Sequence, residues 1–124
     1  MVTETQKEAT HVSVQLSDCG TEDVRTVFTV LSTVFECDRD PLEAHWASPD
    51  RPEICSAEFD VAQHRGDPEP AALEGAVAAE LQGTPWAVHQ LREALTNAFA
   101  VRAERSAAGD QEQQLWLRLE TRPD

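Results

Sequence analysis

The spacing of apolar residues switches between alternation and helical periodicity along this chain, and that rhythm constrains its fold more than any other feature. His11 opens an alternating run in which Val12, Val14 and Leu16 share one face, the signature of a half-buried strand. The polar run 17–20 ends it. Thr21 is placed to cap a helix, and Glu22 and Asp23 suit the positive end of its dipole. Val24, Val27, Phe28, Leu31, Val34 and Phe35 then form one stripe at helical spacing. Many residues of this helix are Val and Thr, so packing against a sheet must hold it.

Residues 37–53 carry three prolines and five acids and read as a long loop. A second strand is expected over 54–62, with Cys55, Ala57, Phe59 and Val61 inward. A third is expected over 73–82, with Leu73, Gly75, Val77, Ala79 and Leu81 inward. The polar segment 63–72 between them suits the loose tip of a hairpin. Gly83 ends the third strand, Thr84 is an N-cap candidate, and Pro85 fits the first helical position. Val88, Leu91, Leu95, Ala98 and Phe99 line the second helix. The last strands are expected over 100–105 and 114–120, around Gly109 and Asp110. Leu115, Leu117 and Leu119 face in, while Trp116 and Arg118 face out. No internal repeat is visible in the sequence.

This order predicts an α+β fold: a ferredoxin-like β-α-β-β-α-β arrangement with an extra C-terminal strand, and two helices on one face of an antiparallel sheet. At 124 residues a single core is expected, with one domain over 11–124 behind a flexible tail over 1–10.

Charge narrows the classes of partner. Twenty-three acids face ten bases, a formal net of −13, and residues 1–62 (thirteen acids, four bases) hold most of it. Nucleic-acid binding is disfavoured because neutralising phosphates needs a basic face, and an anionic membrane surface would repel the chain. No run approaches the ~20 apolar residues of a membrane span, and residues 1–10 lack the apolar stretch of a secretory signal. With three cysteines and no C-x-x-C pair, a reducing, cytoplasmic setting is expected.

Catalytic and metal signatures are weak. Cys19, Cys37 and Cys55 stand eighteen residues apart, and none of His11, His45, His64 and His89 falls within four residues of a Cys, so zinc-type ligand pairs are missing. Asp18, Glu22 and Asp23 around Cys19 oppose a reactive thiolate. Glu36, Asp38, Asp40 and Glu43 form an acidic cluster that reads as solvated loop. Arg65-Gly66-Asp67 is a chance tripeptide, and no phosphate-cradling glycine pattern occurs. No catalytic residue, cofactor or metal is therefore expected.

The aromatics carry the functional expectation. Trp116 and Arg118 on the outward phase of the last strand, with Ile54 and Trp46, are the candidate protein-interaction residues, because Trp and Arg are enriched in binding hot spots. The expected function is a small acidic, non-enzymatic interaction or adaptor module. Its partner is another protein, basic in one version, or a second copy through the sheet face or an edge strand. Two other classes stand beside it. One is a small-molecule sensor or small enzyme with a pocket near Phe28, Phe59 and Phe99. The other is an acidic polyanion mimic that blocks a basic protein.

Overall fold

A computed structural model describes residues 9–37, 54–62, 64–109 and 112–122. Along them run β1 (His11–Ser17), α1 (Thr21–Val34), β2 (Glu36–Cys37), β3 (Cys55–Asp60), β4 (Val77–Gly83), α2 (Pro85–Ala98), β5 (Ala100–Ala108) and β6 (Gln113–Glu120). Among the described residues these make an α+β unit of two helices and a six-strand antiparallel sheet that does not close on itself. Its order is β2-β3-β1-β4-β6-β5.

The alternation seen in sequence decides which side of each strand is dry. Val12, Val14 and Leu16 of β1, Ala57 and Phe59 of β3, Val77, Ala79 and Leu81 of β4, and Leu115, Leu117 and Leu119 of β6 are all buried. They join the apolar stripes of α1 and α2 in one core cluster. Phe28 of α1 meets Phe59 of β3 with ring centroids 5.9 Å apart. Phe28, Phe59 and Phe99 pack in this core at 0–1% exposure.

The expected hairpin between the second and third strands is not formed. Instead β1 lies between β3 and β4 and pairs antiparallel with both, Val14 facing Ala57 on one side and Leu81 on the other. β2 intervenes: Glu36 and Cys37, the second of them inside the expected loop, pair with β3. Leaving α1, the chain takes the outer edge as β2, and β3 then returns between β2 and β1. β1 and β4 are thus the central pair, flanked by β3 on one side and β6 on the other.

Two local expectations are also corrected. The third strand begins at Val77, because residues 73–75 take their hydrogen bonds from side chains rather than from a ladder. The Asp23 carboxylate accepts the backbone N–H of Glu74 at 2.8 Å and of Gly75 at 3.1 Å, while Leu73 exchanges two bonds with the Thr121 hydroxyl. Gly20, not Thr21, occupies the N-cap of α1, and no side chain caps it. At α2 the expected cap holds: Thr84 accepts the Ala87 N–H at 3.3 Å, and Pro85 follows it. The Thr84 hydroxyl also donates to Ala9 O at 2.7 Å, and Val61 N–H bonds Thr10 O at 2.9 Å.

The fold contains a repeat that the sequence conceals. β1-α1-β2-β3 and β4-α2-β5-β6 are the same strand-helix-strand-strand unit, with two 14-residue helices. Val24, Val27, Leu31 and Val34 correspond to Val88, Leu91, Leu95 and Ala98. The C-cap residues are Phe35 and Phe99, whose N–H groups bond Leu31 O and Leu95 O, both at 2.8 Å. Sheet registers agree as well. Val12 pairs Phe59 as Val77 pairs Leu119, and Glu36 pairs Asp60 as Ala100 pairs Glu120. A pseudo-two-fold axis therefore passes through the Gln15–Glu80 pair at the centre of the sheet.

Candidate functional site

The strand positions that point away from the core form a polar face, and its rows follow from the register. The central row runs Ser56, Gln15, Glu80, Trp116, Arg105 across β3, β1, β4, β6 and β5. On one side lie Glu58, Ser13, Gln82, Gln114 and Ala107. On the other, Ala78 leads to Arg118 and Arg102.

Trp116 is the large aromatic of this face, and it is half-buried. Its indole N–H donates to Glu80 Oε1 at 3.0 Å, and the Arg105 guanidinium lies 5.2 Å from its ring centroid. One edge of the indole is thus held by a carboxylate and one face by a cation, geometry that restrains the ring. Arg118 is exposed and directly opposite Arg102. Like charges facing across a pair destabilise a sheet, and here Glu120 lies between them, 3.3 Å from Arg118 and 3.7 Å from Arg102. Arg105 has no carboxylate partner among the described residues.

The pseudo-two-fold shows how far the halves have diverged. Trp116 occupies the place that Ser56 holds in the first unit, and Arg118 the place of Glu58. Core positions keep their apolar character in both units, whereas the positions pointing away from the core differ, with Glu58 and Arg118 opposite in charge. The result is a sheet with an acidic corner at Glu36, Glu58 and Asp60 and a basic one at Arg102, Arg105 and Arg118. At the acidic corner, His11 Nδ1 lies 2.8 Å from Glu58 and His11 Nε2 3.6 Å from Asp60. An open cavity of about 560 Å³ there is lined by Glu36, Asp60, Ala62 and Arg65.

Of the residues expected to form the contact surface, the fold brings Trp116 and Arg118 together. Ile54 is half-buried just before β3, with β1 and β4 between it and the Trp116 strand. Trp46 lies outside the described residues. Sequence reasoning missed Arg102, Arg105 and Glu80, because only the register shows that they adjoin Trp116 and Arg118. It also gave too little weight to Trp86, which is 52% exposed in the first turn of α2.

Chemistry at the cysteines is restrained. Burial, with smaller contributions from Cys55, Asp23 and Asp18, pushes the Cys19 thiol up to about 11, and burial also raises Cys55. Such thiols are poor nucleophiles at neutral pH. Among the described residues no three His, Cys, Asp or Glu side chains are grouped to hold a metal ion, and no helix is long and apolar enough to cross a membrane. No protein family, curated protein or solved structure matches this chain.

Proposed function

We propose that this protein is a non-enzymatic interaction module that contacts another protein through the polar face of its sheet, centred on Trp116. In this reading both helices screen one side of the sheet, as their membership in a single core cluster supports, and the other side is the contact face. The observation that carries the reading is the Trp116 indole, clamped between Glu80 and Arg105 on a rigid central row. A large amphipathic ring held in one rotamer loses little entropy on binding, which is what a hot spot requires.

The test is cross-linking of the tagged protein in cells, comparing wild type with Trp116→Ala at matched folded content by circular dichroism. Loss of the wild-type cross-links in the variant is expected. Retention of the same cross-links, at the same yield, with the fold intact would place the contact surface elsewhere.

A further inference from the structure

The two edges of the sheet differ sharply. β2 is two residues long, whereas β5 is a nine-residue edge strand, exposed from Arg102 to Ala108. Such an edge presents unpaired N–H and C=O groups, which proteins usually blunt with charge or a bulge. Both devices occupy the first part of β5. Ala103 has φ 50°, and the register with β6 shifts between Arg102 and Arg105. From Arg105 to Ala108 the pairing with β6 is regular, Arg105 facing Trp116 and Ala108 facing Gln113, and only Arg105 is charged.

Alongside this stretch, on the helix side of the sheet, runs a groove of about 220 Å³. It is lined by Val88 and Leu115, by His89, Ser106 and Gln113, and by the Arg92–Glu104 ion pair. An edge strand beside a helix-walled groove is the geometry that accepts an extended peptide as an added strand. Main-chain bonds then give affinity, and alternate side chains enter the groove.

Charge selects the occupant. Away from the core, Arg102 and Arg118 share Glu120, and Arg105 has no carboxylate partner among the described residues, in a chain whose net charge is −13. A second copy pairing β5 against β5 would bring two such arginine sets together, and β2 of a second copy is too short to form a ladder. A strand with carboxylates at alternate positions would place one over Arg105, with Arg102 beyond the bulge adding to the positive field, while its other side chains entered the groove.

We propose that β5 and the α2 groove bind an extended acidic segment of a partner protein by strand addition along Arg105–Ala108. This rests on the interaction-module reading above and names the partner's chemistry. The probe is a short acetylated peptide of alternating valine and glutamate, titrated into the isotope-labelled full chain and followed by amide chemical shifts. The control is the same peptide with lysine in place of glutamate. Shifts are expected at 105–108 and 88–92, with binding weakened about five-fold at low salt by Arg105→Glu and similarly by Arg102→Glu. Equal binding of the lysine peptide would overturn the proposal, as would the absence of shifts at 105–108 at millimolar peptide. Shifts confined to Ser13, Gln15 and Gln82 would overturn strand addition while leaving the sheet-face reading standing.

Discussion

Glu80 of β4 accepts the indole N–H of Trp116 of β6 at 3.0 Å, beside the pair through which the pseudo-two-fold passes. This bond joins the symmetric centre of the sheet to the side chain that most distinguishes the second unit from the first. A half-buried bond of this kind stabilises by about 1 kcal/mol. Replacing Glu80 with Ala is expected to cost about that much in urea denaturation and to change Trp116 emission as the ring loses its acceptor. Glu80→Gln, which keeps an acceptor oxygen, should recover most of both. Equal effects from the two variants would mean the bond does not position the ring.

Asp23 is a buried acid at 4% exposure, and both its oxygens are used, by the N–H groups of Glu74 and Gly75. Truncation would leave two backbone donors without their acceptor. Asp23→Ala should therefore destabilise the protein by about 2–3 kcal/mol. Hydrogen exchange at Glu74 and Gly75 is expected to accelerate more than exchange in β1 or β4. Uniform acceleration across the sheet would show that Asp23 supports the whole fold rather than this segment.

Gly83, the last residue of β4, and Gly20, the N-cap of α1, differ in the space around them. A Cβ on Gly83 would lie 2.7 Å from the His11 carbonyl oxygen, a backbone atom across the β1–β4 pair. At Gly20 nothing lies within 4 Å. Gly83→Ala is expected to cost about 1–3 kcal/mol by parting the central strands, and Gly20→Ala to stay within about 0.5 kcal/mol. Thermal melts of the two variants decide it, and a reversed order would contradict the close approach of the strands.

Cys19 should resist alkylation. With its thiol pushed up to about 11 from an ordinary 9.0, its thiolate at neutral pH is scarcer by about a hundred-fold. Iodoacetamide labelling followed by mass spectrometry should find Cys19 modified slowly until the pH passes 10 or the chain is unfolded in urea. Rapid labelling of native Cys19 at pH 7 would show that burial does not protect it. The sign for stability is equally definite: a thiol whose folded value is raised favours the fold at neutral pH. That contribution declines as pH rises from 9.0 toward 11.

Much of the fold was legible because local rules were obeyed. Thr84 and Pro85 mark the start of α2, and the Val12-Val14-Leu16 and Leu115-Leu117-Leu119 alternations give the inward faces of β1 and β6. The candidate site was half legible. Outward phase alone identified Trp116 and Arg118. Arg102 and Arg105 were hidden because the bulge at Ala103 shifts the alternation of β5, and Glu80 because its role exists only across a strand pair. The repeat escaped notice because only buried positions retain it, and a Leu opposite a Phe, or a Val opposite an Ala, is a faint match in sequence.

By itself, then, the sequence determined the two helices and the dry sides of β1, β3, β6 and β4 from Val77 onward, since those depend on spacing within a few residues. Tertiary structure alone decided that β3 lies beside β1 and not β4, that Arg105 of β5 meets Trp116 of β6, and that two diverged units share one axis. The physical reason is that strand order depends on where β2, a two-residue element with no periodic signal, carries the chain after α1. Its pairing is fixed by contacts made far away along the chain.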